Sequence, residues 1–459
     1  MNKSALLRLH MRKEKSVSSH ATPLSIGAFV AKLIGALYRI PLLKIIGSEG
    51  LGLYQMVFPV YSLLLDFSGA GFPSAVSSLI GRMESVNGFD KRKLLKTSLI
   101  IAGALGLLFS LFMLVFCRWL SYLQGNENAF IAYAFLSPAV FLVGLISCFR
   151  GYFQGELNMY PTAISQVLEQ AVKLAFGLLL AYLFLPNIPL SAGGSTLAVS
   201  ISEFVALGYL SILYRKKHGT IRVDLQKREF ISYAKTLVKV AIPITLTGII
   251  LPLSHVVDSF IIINILSSYR QDATSLYGIF SGAVHSVINL PVSLLYGVAI
   301  AVIPIISRQN KDEKNGKESK AIFLTFALSV ACFSLTYLFA PTIVKTLFSS
   351  LSGEQKTITE RLIKFTSPCI ILLSVLQTVN GVLIGQNKNY APIIGLGVGV
   401  VVKTITLIAL LKIPEINIYA CSIASIACYF SACLVNLILV SFNGARNENA
   451  KRFNRQFAD

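Results

Sequence analysis

The sequence predicts an all-α, polytopic membrane protein built from two related halves. Hydrophobic residues make up 54% of the 459 residues and charged residues only 14%, whereas soluble domains have roughly a quarter of their residues charged. The mean hydropathy is +0.68. The third observation is an internal repeat, because the segment Phe149 to Phe176 returns in the second half as VNGVLIGQNKNYAPIIGLGVGVVVKTIT. Such a repeat determines the architecture that the rest of the chain must follow.

Both copies of the repeat are typical of an apolar helix, a glycine-containing polar turn and a second helix that opens beside a proline, Pro161 or Pro392. Identical residues occupy matching positions without a gap: Gly151/Gly381, Gly155/Gly385, Tyr160/Tyr390, Ile164/Ile394, Val172/Val402 and Lys173/Lys403. The sequence therefore predicts two lobes of the same design.

Apolar segments of about 20 residues, long enough to cross a bilayer, predict six spans in each lobe. They lie near 24 to 46, 51 to 80, 97 to 117, 128 to 148, 160 to 184, 192 to 213, 240 to 266, 275 to 306, 321 to 343, 365 to 384, 392 to 411 and 416 to 440. The second and the eighth exceed one crossing and contain glycine or proline, so we expect each to be kinked or to continue as an interfacial helix.

The distribution of Lys and Arg predicts the orientation. Most of the basic residues lie in the two tails and in alternate connections, which places both termini in the cytoplasm. The net charge of +20 thus reflects topology, and no nucleic-acid partner is expected. The predicted parts are a basic cytoplasmic tail (1–23), an N-lobe (24–213), a cytoplasmic linker (214–239), a C-lobe (240–440) and a cytoplasmic tail (441–459). An even number of spans per lobe makes the repeat parallel.

No catalytic pattern is present in the sequence. It contains no phosphate-binding GxxxxGK[ST] loop and no HExxH zinc motif. The seven cysteines form no CxxC pair, and most lie in apolar segments, where they act as small hydrophobic residues. We therefore expect neither an enzyme nor a bound metal, cofactor or disulfide framework.

Ionisable residues inside a membrane are costly and are the best indication of function in such a sequence. In the fifth span Gln166, Glu169, Gln170 and Lys173 follow the i, i+3, i+4, i+7 spacing and share one helical face. Two interpretations are open. The stripe lines a substrate cavity, or Glu169 and Lys173 neutralise each other and hold two helices together.

A second group of charges lies on the first span, where Ser25, Lys32 and Arg39 are seven residues apart and share a face. Asp66, in the second span, is a candidate counter-charge. An excess of cations suits an anionic ligand, because a guanidinium matches phosphate oxygens. The alternative is a purely structural pair of Arg39 and Asp66.

The second half carries its own polar positions. His255 and Asp258, in the seventh span, are candidates for coupling to H⁺ or Na⁺, or else for a simple interhelical hydrogen bond. His285 and Asn289, in the eighth span, and Lys403, the repeat counterpart of Lys173, would line the second half of the same cavity.

Three stretches carry a resemblance to a known family: KLIGALYRIPLLKIIGSEGLGLYQMVFPVYSLL from Lys32, the turn FRGYFQGELNMYP, and LYGIFSGAVHSVINLPVSLLYGVAIAVIPIIS from Leu276. They resemble the stage V sporulation protein B branch of the multidrug/oligosaccharidyl-lipid/polysaccharide (MOP) superfamily. The resemblance implies two six-helix lobes in a V that open alternately to either face of the bacterial plasma membrane. It also implies a flippase whose partners are membrane lipids and a polyprenyl-diphosphate-linked saccharide for peptidoglycan, spore cortex or surface polysaccharide.

The chain departs from its relatives in two respects. Related lipid II flippases carry arginines in the first, second and eighth spans that face the diphosphate. Here Lys32 and, approximately, Arg39 match the first, whereas the others fall near Asp66 and Ser286. Many relatives also have two further C-terminal helices that form a lipid groove, whereas this sequence stops after its twelfth predicted span.

The alternatives to a flippase are a cation-coupled multidrug exporter of the same superfamily, a membrane glycosyltransferase or acyltransferase, and a non-transporting scaffold.

Overall fold

A computed structural model describes the backbone of residues 3–83, 89–220, 223–307, 311–386, 388 and 390–456. Within these ranges it describes the side chains except those of 3–23, 25, 247, 298–307, 311–317 and 441–456. The side chains of the two predicted cytoplasmic tails and of Ser25 therefore lie outside the described residues. All regular structure in the described ranges is helical.

Seventeen α-helices are described. They are α1 (Lys3–Leu65), α2 (Gly71–Met83), α3 (Lys91–Val115), α4 (Cys117–Leu123), α5 (Phe130–Gly155), α6 (Tyr160–Leu183), α7 (Ile188–His218), α8 (Lys227–Gly248), α9 (Ile250–Ser267), α10 (Ala273–Gly278), α11 (His285–Ser307), α12 (Lys311–Leu338), α13 (Ala340–Leu347), α14 (Gly353–Thr366), α15 (Pro368–Gly385), α16 (Ala391–Leu411) and α17 (Tyr419–Gln456). Two π-helical turns, Asp66–Ala70 and Ile279–Val284, join α1 to α2 and α10 to α11.

Helix α1 reverses direction at Gly47, whose backbone has φ 69° and ψ −177°. This is a region of backbone conformation that is essentially restricted to glycine. The rings of Tyr38 and Tyr54 lie 6.0 Å apart, although sixteen residues of uninterrupted helix would separate them by roughly 24 Å. Gly47 therefore folds α1 into a helical hairpin with Tyr38 on one arm and Tyr54 on the other.

The count of membrane spans agrees with the sequence prediction once this hairpin is included. Eleven described helical segments are long and apolar enough to cross a membrane. The first, Ile26–Met83, has 58 residues and contains the reversal at Gly47, so it accounts for two crossings. The prediction of an all-α, twelve-span membrane protein is confirmed.

The internal repeat has the same local structure in both copies. Helix α5 ends at Gly155 and helix α15 ends at the matching Gly385, while α6 and α16 each carry a proline at the start of the first turn. A proline is favourable there, because its missing N–H would have no partner within the helix. Each of the two long spans contains a π-helical turn, Asp66–Ala70 or Ile279–Val284, which is a common cause of kinks. In the eighth span this turn precedes Pro291.

The described chain forms two compact units, residues 1–260 and 261–459. In the first unit the apolar core includes Phe72, Tyr152 and Tyr214, from α2, α5 and α7. Gln124 joins further elements of this unit, because its Nε2 donates to the Met56 carbonyl and to Ser259 Oγ, at 2.9 Å each. The predicted linker, 214 to 239, includes the end of α7 and the start of α8. The predicted lobe boundaries stay a prediction.

The second unit has its apolar core on α15 and α17, with Val379 and Leu383 packed among Ala432 and Cys433. Two polar contacts join helices within it. Asn436 Nδ2 donates to Asn380 Oδ1 at 2.7 Å, and the hydroxyls of Thr325 and Thr378 lie 3.0 Å apart. Hydrogen bonds of this kind hold apolar helices in register where no water competes.

Glu156, in the turn after α5, collects basic groups from two other helices of the first unit. Its carboxylate accepts from Lys91 Nζ at 2.6 Å, and Lys217 Nζ and His218 Nε2 lie at 3.3 and 3.1 Å. Burial by itself would raise the pKa of Glu156. The hydrogen bond from Lys91 and the surrounding charges outweigh burial and lower this pKa below its ordinary value of 4.5.

This arrangement predicts a loss of stability in acid. Because the folded-state pKa of Glu156 lies below that of the unfolded chain, its contacts stabilise the fold fully above the unfolded pKa. That stabilisation is lost as the pH falls from about 5 through the folded-state pKa. We expect Glu156→Gln to lower the melting temperature in detergent at pH 7 and to flatten its fall between pH 7 and 4. Glu415→Gln, at an exposed carboxylate, is the control. If the melting temperature of Glu156→Gln fell between pH 7 and 4 as steeply as that of the wild type, the role given to Glu156 would be contradicted.

Candidate functional site

The polar stripe of α6 faces a set of charged and aromatic residues on neighbouring helices of the first unit. Arg150, on α5, donates from Nη2 to Glu169 Oε2 and from Nε to Ser165 Oγ, both at 3.0 Å. Gln170 Nε2 donates to the other oxygen, Glu169 Oε1, at 3.0 Å. The side chains of Arg150 and Glu169 are only 15% and 17% exposed. Glu169 thus accepts two hydrogen bonds, one from Arg150 and one from Gln170, in a largely buried ion-pair network in which Arg150 also donates to Ser165.

Lys173 lies one turn further along α6 and contacts the hairpin α1. Its Nζ lies 5.6 Å from the centre of the Tyr38 ring and 5.4 Å from that of Phe58, which is the geometry of cation–π attraction. Lys173 also interacts electrostatically with Arg39 and Glu169. Glu169 and Lys173 are therefore not a self-contained pair on α6, because the close partner of Glu169 is Arg150. The substrate-cavity and helix-holding interpretations of the stripe both stay predictions.

Glu203, on α7, completes the network. It is 4% exposed, and it interacts with Glu169, Arg150 and Lys173. Tyr61, from α1, is also buried and interacts with Glu203, Glu169 and Arg150. Four helices, α1, α5, α6 and α7, thus contribute to one polar cluster, which we call the N-unit cluster: Arg39, Tyr61, Arg150, Glu169, Lys173 and Glu203.

The N-unit cluster has an excess of positive charge. Arg39, Arg150 and Lys173 supply three cationic groups, whereas Glu169 and Glu203 supply at most two negative charges. Two of the cations, Arg39 and Lys173, are close enough to repel each other. Like charges brought together away from water are costly, so the cluster is suited to a negatively charged ligand.

Arg39 does not pair with Asp66. On the hairpin, Arg39 lies eight residues before Gly47, roughly 12 Å along the helix, whereas Asp66 lies nineteen residues after it, roughly 28 Å. Asp66 instead lies beside Gly248 of α8, and no ion pair between Asp66 and Arg39 exists among the described residues. Arg39 interacts with Tyr54 and Lys173, so the purely structural alternative for Arg39 is not supported.

The remaining predicted positions of the first unit lie outside this cluster or at its edge. Gln170 Oε1 packs against Gly35, on the arm of α1 that carries Lys32 and Arg39. Lys32 is exposed, and the amide oxygen of Gln166 is buried. His255 Nδ1 and Asp258 Oδ2 are 3.9 Å apart, with side-chain exposures of 52% and 10%. That distance is too long for a hydrogen bond, so the relay predicted for this pair stays a prediction.

In the part of the second unit that the structure describes, the predicted residues lie in separate surroundings. The half-buried ring of His285 lies 4.6 Å from the Phe280 ring, and Asn289 is exposed. Lys403, on α16, is half-buried and interacts with Cys369 of α15. The two copies of the repeat thus share their backbone and this lysine, and in the first copy Arg39, Glu169 and Glu203 surround it.

A separate groove of about 490 Å³ lies in the second unit on α12, α15 and α17. Phe326, Ile371 and Phe430 are among its lining residues, and Ser319 is the only one with a polar side chain apart from Cys433. Such a surface suits hydrocarbon and not a charged headgroup.

Several members of the N-unit cluster were not among the predicted site residues. Arg150 lies at the end of a span, where its charge was counted toward topology. Glu203 is the single charge of its span, and Tyr61 lies among largely apolar residues of the second span without a polar pattern of its own. Arg150 lies eleven residues before Pro161, just ahead of the glycine-containing turn that reverses the chain. That turn makes α5 and α6 antiparallel neighbours, and this is the signal that could have placed Arg150 beside the stripe on α6.

Comparison with protein families gives two matches. The family model described as Polysaccharide biosynthesis protein matches residues 20–310, and the one described as MatE matches residues 243–408. Stage V sporulation protein B of Bacillus subtilis (strain 168) is 26% identical over 426 residues, covering 90% of this chain and 81% of that protein. Lipid II flippase MurJ of the same organism is 26% identical over 444 residues, covering 91% and 81%.

Solved structures show the same fold. The inward-facing conformation of a multidrug resistance MATE family transporter of the MOP superfamily aligns with a TM-score of 0.75 at 15% identity, covering 94% of this chain and 99% of that one. The outward-facing conformation of such a transporter aligns with a TM-score of 0.66 at 16% identity, covering 94% and 97%.

The buried ion pair generates a prediction about stability. Arg150→Ala leaves Glu169 and Glu203 with Lys173 as their nearest cation, and breaking a buried pair in this way costs about 3–5 kcal/mol. We expect a large drop in the detergent melting temperature, and a smaller one in Arg150→Ala/Glu169→Ala, where fewer buried charges are left unpaired. The control is Lys364→Ala, in a half-exposed i, i+4 pair with Glu360 worth about 0.3–0.5 kcal/mol. Equal effects of Arg150→Ala and Lys364→Ala would contradict the prediction.

Proposed function

The chain belongs to the polysaccharide biosynthesis protein family, in the flippase branch of the MOP superfamily, and from this premise we propose that it moves a lipid-linked saccharide across the bacterial plasma membrane. The predicted resemblance to this superfamily is confirmed, and the chain is a multi-pass membrane transporter. One relative is a lipid II flippase, and the solved structures with this fold are multidrug resistance transporters. The substrate is a polyprenyl-diphosphate-linked saccharide, and transport proceeds by alternating access.

The observation that supports this substrate is the excess of cations in the N-unit cluster. Arg39 offers a planar fork of N–H donors that matches two oxygens of a phosphate, and Lys173 adds a point charge beside it. The aromatic rings of Tyr38 and Phe58 hold the Lys173 ammonium in the bilayer without neutralising it. A diphosphate would add negative charge beside these two cations.

The same charges argue against export of lipophilic cations. A site for such compounds needs carboxylates that are free to meet the ligand. In the N-unit cluster Glu169 is bonded to Arg150, and Glu203 interacts with both Arg150 and Lys173. The name of one Bacillus subtilis relative, lipid II flippase MurJ, also favours a lipid-linked saccharide. The apolar groove on α12, α15 and α17 offers hydrocarbon-compatible surface in the second unit.

The orientation of the chain is part of the proposal. Both termini and the segment around Lys216 face the cytoplasm, which the bias of Lys and Arg in the connections supports. Glu156 and its basic partners then lie at the cytoplasmic end of the first unit, and the Gly47 reversal lies at the outer end.

The direct test is translocation of a labelled lipid-linked precursor in liposomes that contain only this protein. If Arg39 binds the headgroup, Arg39→Ala removes a charge-assisted bidentate contact, and the transport rate should fall about 10- to 100-fold with normal membrane insertion. Arg39→Lys should restore only part of the rate, because an ammonium lacks the planar fork. Lys44→Gln, at an exposed lysine on the same arm of α1, is the matched control. A wild-type rate in Arg39→Ala would refute the headgroup site.

The orientation has its own test. In a background without the seven cysteines, single cysteines at the exposed positions Asn187 and Ser268 should react in whole cells with a membrane-impermeant thiol reagent, because both connections face outward. A cysteine at Lys216 should react only after the cells are opened. Labelling of the Lys216 position in intact cells would show that the orientation is the reverse of the proposed one.

A further inference from the structure

The apolar groove on α12, α15 and α17 is a cavity that the proposed headgroup site does not use. Its volume of about 490 Å³ lies within the usual range of small-molecule sites, about 300–1,000 Å³. On α12 its lining begins at Ser319 and ends at Phe326, roughly 10 Å apart along a helix. Two further rings of its lining, Phe323 and Phe430, are 70% and 57% exposed. The groove is therefore open at the side and runs along the helices, which is the direction of the acyl chains in a bilayer.

The internal repeat explains why this groove is open. Ile371 and Val375 line it on α15 and, in the register of the repeat, match Phe141 and Leu145 on α5. In the first unit α3 packs directly on that face of α5, because a Cβ added at Gly106 would lie only 3.0 Å from the Cα of Phe141. Helix α12, the counterpart of α3, has no glycine beyond its second turn, and the smaller side chains of α15 leave space beside it. The same face of the repeat is thus filled in the first unit and open in the second.

Basic residues lie at one end of the groove. Lys320 is exposed and lies three residues before Phe323, so it shares the groove side of α12. Lys388 Nζ donates to the carbonyl of Leu439 at 2.6 Å. That carbonyl lies two residues beyond Leu437, which lines the groove on α17. One end of the groove therefore carries positive charge, whereas its deeper part is lined by apolar side chains.

The carboxylate at this end of the groove is turned inward. Glu318 is 6% exposed, and both of its oxygens accept from Gln386 Nε2, at 3.0 and 3.1 Å. Glu318 interacts with Lys388 and balances part of its charge, while Lys320 stays accessible to a ligand. In the proposed orientation α12 begins and α17 ends on the cytoplasmic side. The charged end of the groove then lies at the level of the headgroups of the inner leaflet.

Hydrocarbon contact alone selects no particular lipid, because lipid tails are as apolar as the groove and find equal surroundings in the bilayer. Selection requires a headgroup. We propose that the groove binds one anionic phospholipid of the cytoplasmic leaflet, with an acyl chain between Phe326 and Phe430 and the headgroup at Lys320 and Lys388. Close packing on several sides holds the chain, and the two lysines favour a negatively charged headgroup over a zwitterionic one.

This lipid site goes beyond the proposed function, since it needs neither the N-unit cluster nor transport of a saccharide. Only the choice of leaflet rests on the proposed orientation. The lipid site and the proposed substrate site therefore stand or fall separately, and the experiments on the groove measure binding of a bilayer lipid to the protein at rest.

The headgroup contact is tested on the full chain in detergent by native mass spectrometry, with palmitoyl-oleoyl phosphatidylglycerol and the phosphatidylcholine of the same chains as probes. The wild type should retain one phosphatidylglycerol molecule more tightly than phosphatidylcholine. Lys320→Gln should weaken phosphatidylglycerol binding roughly fivefold, the effect of one basic residue near an anionic lipid surface, and leave phosphatidylcholine binding unchanged. Lys345→Gln, at an exposed lysine of α13, is the control. Equal binding of both lipids to the wild type, or an unchanged preference in Lys320→Gln, would overturn the proposal.

The groove itself is tested by filling it with the side chains found at the matching positions of the first unit. Ile371→Phe/Val375→Leu should lose the tight binding of phosphatidylglycerol. The lipid should raise the melting temperature of the wild type, because it binds the folded state, but not that of the filled variant. Ile405→Phe, at a position of α16 that is 64% exposed, is the matched control and should respond as the wild type does.

The melting temperature without added lipid shows whether the filled variant folds, and Val375→Leu alone gives a smaller filling if the double variant does not. A folded variant with a filled groove that retains phosphatidylglycerol as tightly as the wild type would refute the groove as the site. A wild-type dimer that the filled variant separates into monomers would also refute the proposal, because a second copy of the chain would then occupy the groove.

Discussion

The ion pair between Arg150 and Glu169 is the interaction on which the candidate site depends. Charges inside a bilayer are tolerated only when other groups of the protein satisfy them. Arg150 anchors α5 to α6 through Glu169 and Ser165, and this leaves Lys173 to the aromatic rings of α1. One cation of the cluster is thus neutralised by a close carboxylate, whereas Lys173 lies over two aromatic rings and interacts with Glu169 and Glu203 only electrostatically. Had Glu169 paired with Lys173 instead, the cation without a close carboxylate would be Arg150 on α5, away from the aromatic rings of α1.

The same constraint explains which parts of the site the sequence could predict. Gln166, Glu169, Gln170 and Lys173 could be grouped because the helical period places them on one face, and the structure keeps their stripe together. The partner of Glu169 could not be identified in this way, since periodicity describes one helix at a time and Arg150 belongs to another. Arg150 also lies at the end of its span, where a basic residue is ordinarily explained by topology alone.

The fold was predictable to a greater extent than the site. Hydrophobic length and the repeat were sufficient for twelve spans, and the turns after Gly155 and Gly385 begin and end where the matching glycines and prolines indicate. The hairpin in α1 and the π-helical turn at Ile279–Val284 were not predictable in detail. Both depend on how backbone hydrogen bonds are rearranged between packed helices, and no residue pattern within a single span specifies that rearrangement. The pairing of Arg39 with Asp66 failed for a related reason, because the reversal at Gly47 sets their depths.

The reversal at Gly47 has a consequence for how the first two spans can change during evolution. The two arms meet without a connecting loop, so the register between them is defined by counting residues from one glycine. Insertion of a single residue near Ser48 would rotate the second arm by about 100° and shift it by about 1.5 Å. Tyr54 and Phe58 would then turn away from Tyr38 and Lys173. This hairpin should therefore tolerate substitutions at its exposed positions while rejecting insertions and deletions, unlike most connections between transmembrane helices, where length varies freely.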